Sequence, residues 1–395
     1  MAEILKNRMM TPGPCDVPGE VLLAEATPQI HHRTPQFQKV YEEVHTLIKL
    51  VFKTSRPVFS FCASGTGAME AAVANLTTPG SKPIVIDGGW FGKRWNDICK
   101  AYGLAADVMT VEWGVSVSPS DLEARLAANP DCPAVFVQLS ETSTGGVHDV
   151  KALQEVVSKT NAVLVVDAIS GLAAMPCETD LWKLDCVLTG SQKSLMIPPG
   201  LAYLTCGERC WPKVEASKHP RFYFDLRKSK SGIEKMDHPF TPPTSLLWGQ
   251  LKALQILEKE GIDNTVARHA RLADATRAAV KGMGLQLFAK NPGNVLTSVV
   301  MPDGHDSGKL VKKCRDEYGV TLAGAQGPYK GKFFRIGHLG YVDDNDVISA
   351  VAAVERVMNE MGIKIAFGSG VGPAQEVLHK ARMARAGAPG MGTKS

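Results

Sequence analysis

One lysine has the surroundings of a chemically reactive group. Lys193 ends the segment Thr189-Gly190-Ser191-Gln192-Lys193, directly after the apolar run 184–188. A lysine that follows a buried strand and a Gly-Ser turn can reach into a cleft, where burial lowers the pKa of its amine. Such an amine can form a Schiff base with an aldehyde. Most lysines are ordinary surface charges, so the interpretation of Lys193 depends on the side chains that the fold brings beside it.

A glycine-rich loop is the second candidate. Ser64, Gly65, Thr66 and Gly67 stand between an apolar segment and an Ala-rich segment. Glycines at a strand-to-helix turn let backbone N–H groups and the helix N-terminus hold a phosphate. A dinucleotide-binding loop would need another glycine near position 70, which is Glu70 here, although Asp87 has the spacing of a ribose-binding acid. A tight turn without a ligand also remains open.

A carboxylate is the third candidate. Asp167 closes the apolar run 162–166, and burying a carboxylate without a partner is costly. Asp167 could cap the following turn. Alternatively it could bind a protonated pyridine nitrogen, since pyridoxal phosphate enzymes combine such an aspartate with a Schiff-base lysine. The 26 residues from Asp167 to Lys193 fit one crossover between neighbouring strand ends.

The elements that would position these residues alternate in type. Short apolar runs predict strands at 58–61, 83–86, 134–139, 162–166 and 184–188, and amphipathic or Ala-rich runs predict helices from about 37, then at 68–76, 95–102, 120–128 and 150–159. This alternation indicates an α/β fold with a mainly parallel sheet. Such sheets bind ligands at the carboxyl ends of their strands, where all three candidates fall.

The second half of the chain has a different pattern. We expect an irregular stretch at 219–244, then a long helix that stops at Gly261. Beyond it, helices at about 265–281, 310–318 and 344–361 and strands at 298–301 and 333–336 indicate a smaller α+β domain. The predicted organisation is an N-terminal arm at 1–20, a large domain at 21–260, a small domain at 261–383 and a mobile tail at 384–395.

Composition narrows the function classes. The chain has 395 residues, of which 44% are hydrophobic and 21% charged, and a formal net charge of +4. That mild charge does not indicate a nucleic-acid partner, and no apolar run approaches the ~18 residues needed to span a membrane. The nine cysteines form no Cys-x-x-Cys pair or Cys/His cluster. We therefore expect no metal site, reduced thiols and a cytoplasmic enzyme.

Motifs distributed along nearly the whole chain carry a family resemblance. The chain resembles the class V pyridoxal phosphate-dependent aminotransferases, in the branch that includes serine–glyoxylate and alanine–glyoxylate aminotransferases. The motifs are His32-Arg33-Thr34-Pro35-x-Phe37, Ser64-Gly65-Thr66-Gly67, Glu141-Thr142-Ser143-Thr144-Gly145, Val166-Asp167, Thr189 to Lys193, Pro198-Pro199-Gly200-Leu201, Ala267 to Leu272, Phe334 to Gly340 and Gly368-Ser369-Gly370-Val371. The resemblance implies a fold-type I architecture with a mainly parallel seven-stranded-type sheet, helices on both faces and a smaller C-terminal α+β domain.

The resemblance also implies roles for residues around the cofactor. Lys193 corresponds to the Schiff-base lysine and Asp167 to the partner of the pyridine nitrogen. Phe91 corresponds to the aromatic residue that stacks on the cofactor, although it could instead be packed in the core or be replaced in this role by Trp90. The remaining cofactor contacts implied by the family are Thr142 near the phenolic oxygen, and Ser64, Gly65, Thr66 and Gln192 around the phosphate.

Further implied roles concern the substrate and a second subunit. Arg335 corresponds to the arginine that binds the substrate α-carboxylate, and a planar guanidinium suits a bidentate grip. His238 and Thr241 fall where the family sends phosphate contacts from the neighbouring subunit, although the family usually has a larger aromatic residue in place of His238. The resemblance thus implies a homodimer with shared active sites.

The implied activity is a ping-pong transamination from a small L-amino acid, serine or alanine, to glyoxylate or pyruvate. Other donors remain open, namely aspartate, ureidoglycine, aminoethylphosphonate and pyridoxamine. Two further alternatives are a cysteine desulfurase-like lyase and a non-catalytic, oxidoreductase-associated subunit with this fold. Gln192 argues against the lyase, because the related desulfurases have a histidine immediately before the lysine.

Overall fold

The computed structural model describes residues 4–386. Its elements up to the end of the central sheet are β1 (Arg8–Met9), α1 (Gly19–Glu25), α2 (Pro35–Phe52), β2 (Val58–Cys62), α3 (Gly65–Leu76), β3 (Ile84–Asp87), α4 (Trp90–Ala101), β4 (Asp107–Thr110), α5 (Pro119–Ala128), β5 (Ala134–Gln138), β6 (Ser140–Glu141), β7 (Gly146–Val147), α6 (Val150–Val157), β8 (Val163–Asp167), β9 (Cys186–Gly190) and β10 (Leu201–Cys206).

The remaining elements are mostly helical. They are α7 (Trp211–Ala216), α8 (Leu226–Glu234), α9 (Thr244–Glu260), α10 (Ile262–Gly282), β11 (Leu296–Val300), α11 (Ser307–Tyr318), β12 (Val320–Thr321), β13 (Ala323–Gly324), β14 (Phe333–Gly337), α12 (Asp344–Glu360) and α13 (Val371–Ala386). Two short 3-10 helices span Glu208–Cys210 and Gly327–Tyr329.

A seven-stranded sheet forms the centre of the molecule, in the order β2-β10-β9-β8-β5-β3-β4. The ladders from β9 to β4 are parallel, and β10 runs antiparallel to both of its neighbours. Successive residues of a strand enter different apolar clusters, as Val135 and Phe136 of β5 do. Helices therefore cover both faces of the sheet. The predicted α/β fold with a mainly parallel seven-stranded sheet is confirmed.

A second apolar core belongs to the C-terminal part. It joins α10, α11, α12 and α13 to a three-stranded antiparallel sheet, β11-β14-β13. The N-terminal arm contributes to this part, because β1 pairs in parallel with β12 and Met10 is buried in the same cluster. Val17 of the same arm packs against the core of the large part, so the arm contacts both cores. The exact domain boundaries stay a prediction.

Several elements were not predicted from the sequence, among them α1, β4 and α7 and the three that follow. The stretch 219–244 contains helix α8, whose first turn is capped by the Asp225 side chain accepting from the N–H of Arg227. The apolar strand β10 inserts between β2 and β9. Helix α13 extends to Ala386, so the first residues assigned to a mobile tail are helical, and residues 387–395 lie outside the described part. Short charged or Ala-rich helices have weak periodicity, which explains why α8 and α13 were not predicted.

Candidate active site

Two strand ends of the central sheet, together with the small β6-β7 sheet, bring the candidate residues to one edge of the central sheet. Asp167 is the last residue of β8 and pairs with Leu188 of β9. Lys193 follows β9 by one turn, and Thr142 follows β6. A cavity of about 360 Å³ opens here, lined by Met9, Thr11, Pro12, Gly13, Pro14, Phe91, Thr142, Lys193, Thr321, Ala323, Gln326 and Arg335. The cavity thus lies between the carboxyl edge of the sheet and the C-terminal part, as expected for a parallel α/β sheet.

Lys193 is buried at the floor of this cavity. Only 7% of the residue is exposed, and its Nζ donates a hydrogen bond to the carbonyl oxygen of Pro12 at 2.5 Å. Gly13 has φ +104° and its Hα faces the lysine side chain, so a side chain at this position would collide with Lys193. Burial lowers the pKa of the Lys193 amine to about 8, and the charge of Asp167 opposes that shift. The neutral, nucleophilic form of the amine is therefore far more populated near neutral pH than it is in an exposed lysine.

Asp167 is a buried carboxylate without a cationic side chain bonded to it. Its Oδ1 accepts from the backbone N–H of Ile169 at 2.9 Å. Burial, together with the neighbouring charge of Glu141, raises the pKa of this carboxyl to about 7. A cationic N–H donor placed beside Asp167 would stabilise the carboxylate form.

The glycine-rich loop begins helix α3, as its sequence predicted. Ser64 is the N-cap, and its side chain makes no capping hydrogen bond to the first turn. The loop lies against the end of β9, since a Cβ on Gly190 would be 3.2 Å from the backbone nitrogen of Gly65. Nearby, the Oε1 atom of Gln192 is buried and has no hydrogen-bond partner among residues 4–386. The N–H groups of a helix N-terminus suit an anion, toward which Gln192 would have to turn its NH2 group rather than this oxygen.

The N-terminus of α4 carries Phe91 to the cavity. The buried carboxylate of Glu141 accepts from the N–H groups of Phe91 and Gly92, at 3.1 and 2.9 Å, and thereby caps this helix. One turn further along α4, the guanidinium of Arg94 lies 4.7 Å from the centre of the Phe91 ring and donates to Thr66 Oγ1 at 3.1 Å. Trp90 is 37% exposed, and among the two neighbours only Phe91 lines the cavity.

Arg335 occupies the middle of β14 on the opposite wall. Its guanidinium donates to the backbone carbonyl oxygens of Gly324, at 3.1 and 2.5 Å, and of Thr142, at 2.8 Å. None of the carboxylates in the described range 4–386 forms an ion pair with it. Burial lowers the pKa of Arg335 to about 10. Carbonyl dipoles orient this cation while leaving its charge available to a small carboxylate.

The hydroxyl of Thr142 points toward the sheet. It donates to Ser170 Oγ at 2.8 Å, and Ser170 Oγ in turn donates to the Ser140 carbonyl oxygen. The backbone carbonyl of Thr142 holds Arg335, so this residue links the carboxyl edge of the sheet to the opposite wall. The hydroxyl oxygen Oγ1 of Thr142 still has a lone pair that can accept a hydrogen bond from a further donor.

The two residues assigned to a neighbouring subunit lie apart from the cavity of their own chain. His238 is buried, with Nε2 3.2 Å from the Ser60 carbonyl oxygen and Nδ1 accepting from the Phe240 N–H at 3.3 Å. Burial lowers the pKa of His238, which agrees with a neutral ring using both nitrogens inside its own chain. Thr241 is exposed. Their predicted contacts with a second subunit stay predictions.

Sequence reasoning missed three side chains at this site. Arg94 and Glu141 hold the α4 segment that bears Phe91, and Gln326 lines the cavity beside Arg335. The spacing of Arg94 one turn after Phe91 is a signal that could have been used, since residues three apart share a helix face. Gln326 follows no such rule. Its loop reaches the cavity only through tertiary packing.

Within residues 4–386, no three His, Cys, Asp or Glu side chains come together in a group able to hold a metal ion. Across the same residues, none of the helices has both the length and the apolar character needed to cross a membrane.

Comparisons with known proteins agree with the fold and the motifs. The family model described as "Aminotransferase class-V" matches residues 21–328. The "Soluble hydrogenase, small subunit" of Synechococcus sp. PCC 6716 is 38% identical over 95% of this chain and 99% of that protein.

Two similar relatives are named as glyoxylate aminotransferases. The L-aspartate–glyoxylate aminotransferase of Paracoccus denitrificans is 35% identical over 94% of this chain and 96% of that protein. The serine–glyoxylate aminotransferase of Methylorubrum extorquens is 33% identical over 96% of this chain and 98% of that protein. Among solved structures, pyridoxamine–pyruvate aminotransferase from Mesorhizobium loti superposes with a TM-score of 0.90 at 29% identity, covering 96% of this chain and 98% of that one.

Proposed function

Since this chain belongs to the class-V aminotransferases, we propose that it is a pyridoxal phosphate-dependent transaminase that moves the amino group of a small L-amino acid, serine or alanine, to glyoxylate or pyruvate. One observation carries the proposal. A buried lysine of lowered pKa and an arginine whose partners within residues 4–386 are all carbonyl oxygens face one cavity at the carboxyl edge of the sheet.

The residues at this edge fit the parts of pyridoxal phosphate. The backbone N–H groups at the N-terminus of α3 provide a recess for the phosphate, and the side-chain NH2 group of Gln192 beside it can serve as a further donor. The Phe91 ring offers an apolar face to a pyridine ring. Asp167 fits a protonated pyridine nitrogen, because a cation beside it would relieve the cost of its buried charge.

Chemistry at the substrate requires a base and an electron acceptor. Bound pyridoxal phosphate would supply a sink for the electron pair left on the substrate Cα when its proton leaves. In the proposed cycle, Lys193 Nζ takes the Cα proton and later delivers it to the cofactor carbon that is bonded to the transferred nitrogen. The lowered pKa of Lys193 suits this exchange near neutral pH.

Arg335 would orient the amino acid for that proton transfer. Its guanidinium can grip the α-carboxylate in a bidentate manner, which fixes the position of Cα relative to Lys193 Nζ. The same arginine would bind the carboxylate of glyoxylate or pyruvate in the second half of the cycle. Because one arginine would bind the carboxylates of both substrates in turn, this arrangement supports a ping-pong mechanism.

We also propose a homodimer with shared active sites in the cytoplasm, acting without nucleic-acid or membrane partners. The exposed Thr241 lies next to an aromatic surface of Phe222, Tyr223 and Phe240, in which Phe222 is 71% exposed. Such a patch favours burial against another protein surface. Every described cysteine is unpaired, which favours a reducing compartment.

A donor screen tests the proposed function. The purified holoprotein is mixed with single amino acids, and loss of the cofactor's visible absorbance reports the first half-reaction. Glyoxylate or pyruvate should then restore it. Lys193→Ala should abolish both the visible band and turnover, whereas Lys151→Ala, an exposed lysine of α6, should change neither. Retained turnover in Lys193→Ala would overturn the proposal.

The alternatives give different outcomes in the same screen. Release of sulfide from cysteine would indicate the lyase. Failure of every donor, with the visible band intact, would favour the non-catalytic subunit, an alternative consistent with the name of the Synechococcus relative, a soluble hydrogenase subunit. If the visible band is lost only with aspartate, ureidoglycine, aminoethylphosphonate or pyridoxamine, the protein is still an aminotransferase but its amino donor is not serine or alanine.

A further inference from the structure

We propose that the N-terminal arm ties Lys193 to strand β14, which carries Arg335, and that the contact of the arm with β14 controls how readily the Lys193 amine reacts with an aldehyde. The inference rests on the proposed transaminase function, because it concerns the lysine of that same site. Cys15, on the arm, would be a positioning residue for Lys193.

One side of the arm is bound to the C-terminal part. The N–H of Gly337 donates to the Met10 carbonyl oxygen at 2.7 Å, and the Met10 N–H donates to the Thr321 carbonyl oxygen at 2.9 Å. A Cβ on Gly337 would lie 2.3 Å from the carbonyl carbon of Thr11, so the arm and this strand are in direct contact. Gly337 ends β14 two residues after Arg335, and the arm therefore rests on the strand that carries this arginine.

The other side of the arm is bound to Lys193. The Pro12 carbonyl oxygen accepts from Lys193 Nζ, and a Cβ on Gly13 would lie 2.4 Å from the same nitrogen. Cys15 binds the main chain that bears the lysine, since its N–H donates to the Gln192 carbonyl oxygen at 3.2 Å and its Sγ donates to the Lys193 carbonyl oxygen at 2.9 Å. The arm thus holds both the amine and the backbone of this residue.

Hydrogen bonds within the arm join its two sides. Thr11 Oγ1 donates to the Pro14 carbonyl oxygen at 2.7 Å, and the Met9 N–H donates to Asp16 Oδ2 at 3.0 Å. The second of these bonds closes a loop of residues 9–16, which contains every arm residue that contacts β14 or Lys193. A shift of the arm at β14 would therefore be transmitted to Lys193.

Burial connects the position of the arm to the reactivity of the amine. Lys193 is buried, and loss of solvent is the largest cause of the lowered pKa of its amine. Among the charged groups around it, Asp167 of β8 favours the ammonium form, whereas Arg335 of β14 and Arg94 of α4 disfavour it. The Cys15 thiol is uncharged near neutral pH, because burial raises its pKa to about 11. Withdrawal of the arm would admit water to Nζ and raise the pKa of Lys193 toward about 10.4, the value of an exposed lysine.

The test displaces the arm from β14 and follows Lys193 by its reaction with pyridoxal phosphate. Gly337→Ala places a methyl group against the backbone of Thr11, so the arm has to move. The readout is the rate at which the apoprotein develops visible absorbance, measured by stopped flow between about pH 6 and pH 10. The wild-type rate should level off near pH 8. In Gly337→Ala this point should rise by about one pH unit, and the rate at pH 7 should fall about tenfold.

Gly372→Ala is the matched control for the added methyl group. Gly372 lies in α13, and a Cβ there would have no atom within 4 Å outside its own helix backbone and chain neighbours. This variant should keep the wild-type pH profile.

A second set of variants loosens the arm on the side of Lys193. Cys15→Ala removes the donor to the Lys193 carbonyl oxygen and should lower the rate at pH 7 about threefold, with a smaller upward shift of the profile. Cys15→Ser keeps a donor at this position and should restore the wild-type profile. Cys314→Ala removes a buried thiol from the core of the C-terminal part, and it should lower stability without moving the profile.

The outcomes separate this inference from the proposed function. If the wild-type rate levels off near pH 8 and Cys15→Ala and Gly337→Ala keep that profile, the arm does not control Lys193 and the inference is overturned. If Gly337→Ala does not fold, the comparison of Cys15→Ala with Cys15→Ser decides alone, and an equal shift in both would overturn the inference. If the wild-type apoprotein develops no visible absorbance at any pH, the proposed function itself fails.

Discussion

Arg94 donates a hydrogen bond to the hydroxyl of Thr66 across 3.1 Å, joining the second turn of α4 to the first turn of α3. Because the Thr66 oxygen accepts this bond, its own hydrogen is free to donate to a third group. Arg94 also covers one side of the Phe91 ring. One guanidinium thus orients a residue proposed to bind the phosphate and one proposed to stack on the cofactor.

Loss of Arg94 should weaken cofactor binding. Arg94→Met removes a charge-assisted hydrogen bond worth about 1.5 kcal/mol, and the dissociation constant for pyridoxal phosphate should rise about tenfold. Equilibrium dialysis of the apoprotein measures this constant without turnover. Lys93→Met, which removes the exposed neighbouring charge, serves as the control. Equal dissociation constants for the two variants would contradict the role of Arg94.

Capture of the cofactor by Lys193 should have an unusual pH dependence. Only the neutral amine attacks an aldehyde, and burial lowers the pKa of Lys193 to about 8. The rate at which the apoprotein develops visible absorbance with pyridoxal phosphate should therefore rise up to about pH 8 and then level off. Free Nα-acetyl-lysine provides the comparison, since its rate should keep rising toward pH 10. A protein rate that follows the free amine would show that Lys193 is not perturbed.

The convergence of Lys193 and Asp167 could be predicted because it follows from topology. Adjacent parallel strands end at the same edge of a sheet, so the polar residue after each strand has a predictable neighbourhood. The β8–β9 ladder places Asp167 opposite Leu188, shortly before Lys193. Local sequence was sufficient for these positions.

Other features depend on contacts between distant segments. The arm residues Pro12 and Gly13 pack on Lys193, and Thr142 supports Arg335 from another part of the chain. No periodicity encodes such contacts. Strand β10 was missed for a similar reason, since a six-residue apolar run defines neither its antiparallel direction nor its place between β2 and β9.

Asp167 should destabilise the apoprotein as pH rises. Burial raises the pKa of its carboxyl to about 7, so the folded protein keeps a proton that the unfolded chain releases near pH 4. Between about pH 4 and pH 7 the unfolded state therefore binds fewer protons than the folded state. The free energy of unfolding consequently falls as the pH rises through this range. Asp167→Asn should remove this loss, making the variant about 2–4 kcal/mol more stable than wild type at pH 8 but not at pH 4.

Urea denaturation of the apoproteins at several pH values measures that difference. Asp303→Asn, at an exposed turn, is the control and should track the wild type. Asp167→Asn should also lose cofactor-dependent turnover. A stability difference that does not change with pH would mean that the Asp167 carboxyl ionises like an exposed one.

Replacing Arg335 by lysine should impair substrate binding while sparing the cofactor. A lysine ammonium cannot reproduce the planar fork that now bonds the carbonyl oxygens of Gly324 and Thr142, and it grips a carboxylate as a point charge. We expect KM for the amino donor to rise and kcat/KM to fall about a hundredfold, which corresponds to about 2.7 kcal/mol. The visible absorbance of the holoprotein should remain. Arg277→Lys, which affects a partly buried arginine bonded to Gly293, should leave KM unchanged.

Because both substrates carry a carboxylate, the loss of kcat/KM in Arg335→Lys should appear equally with the amino donor and with the keto acid acceptor. A loss confined to one of them would contradict a single shared carboxylate site.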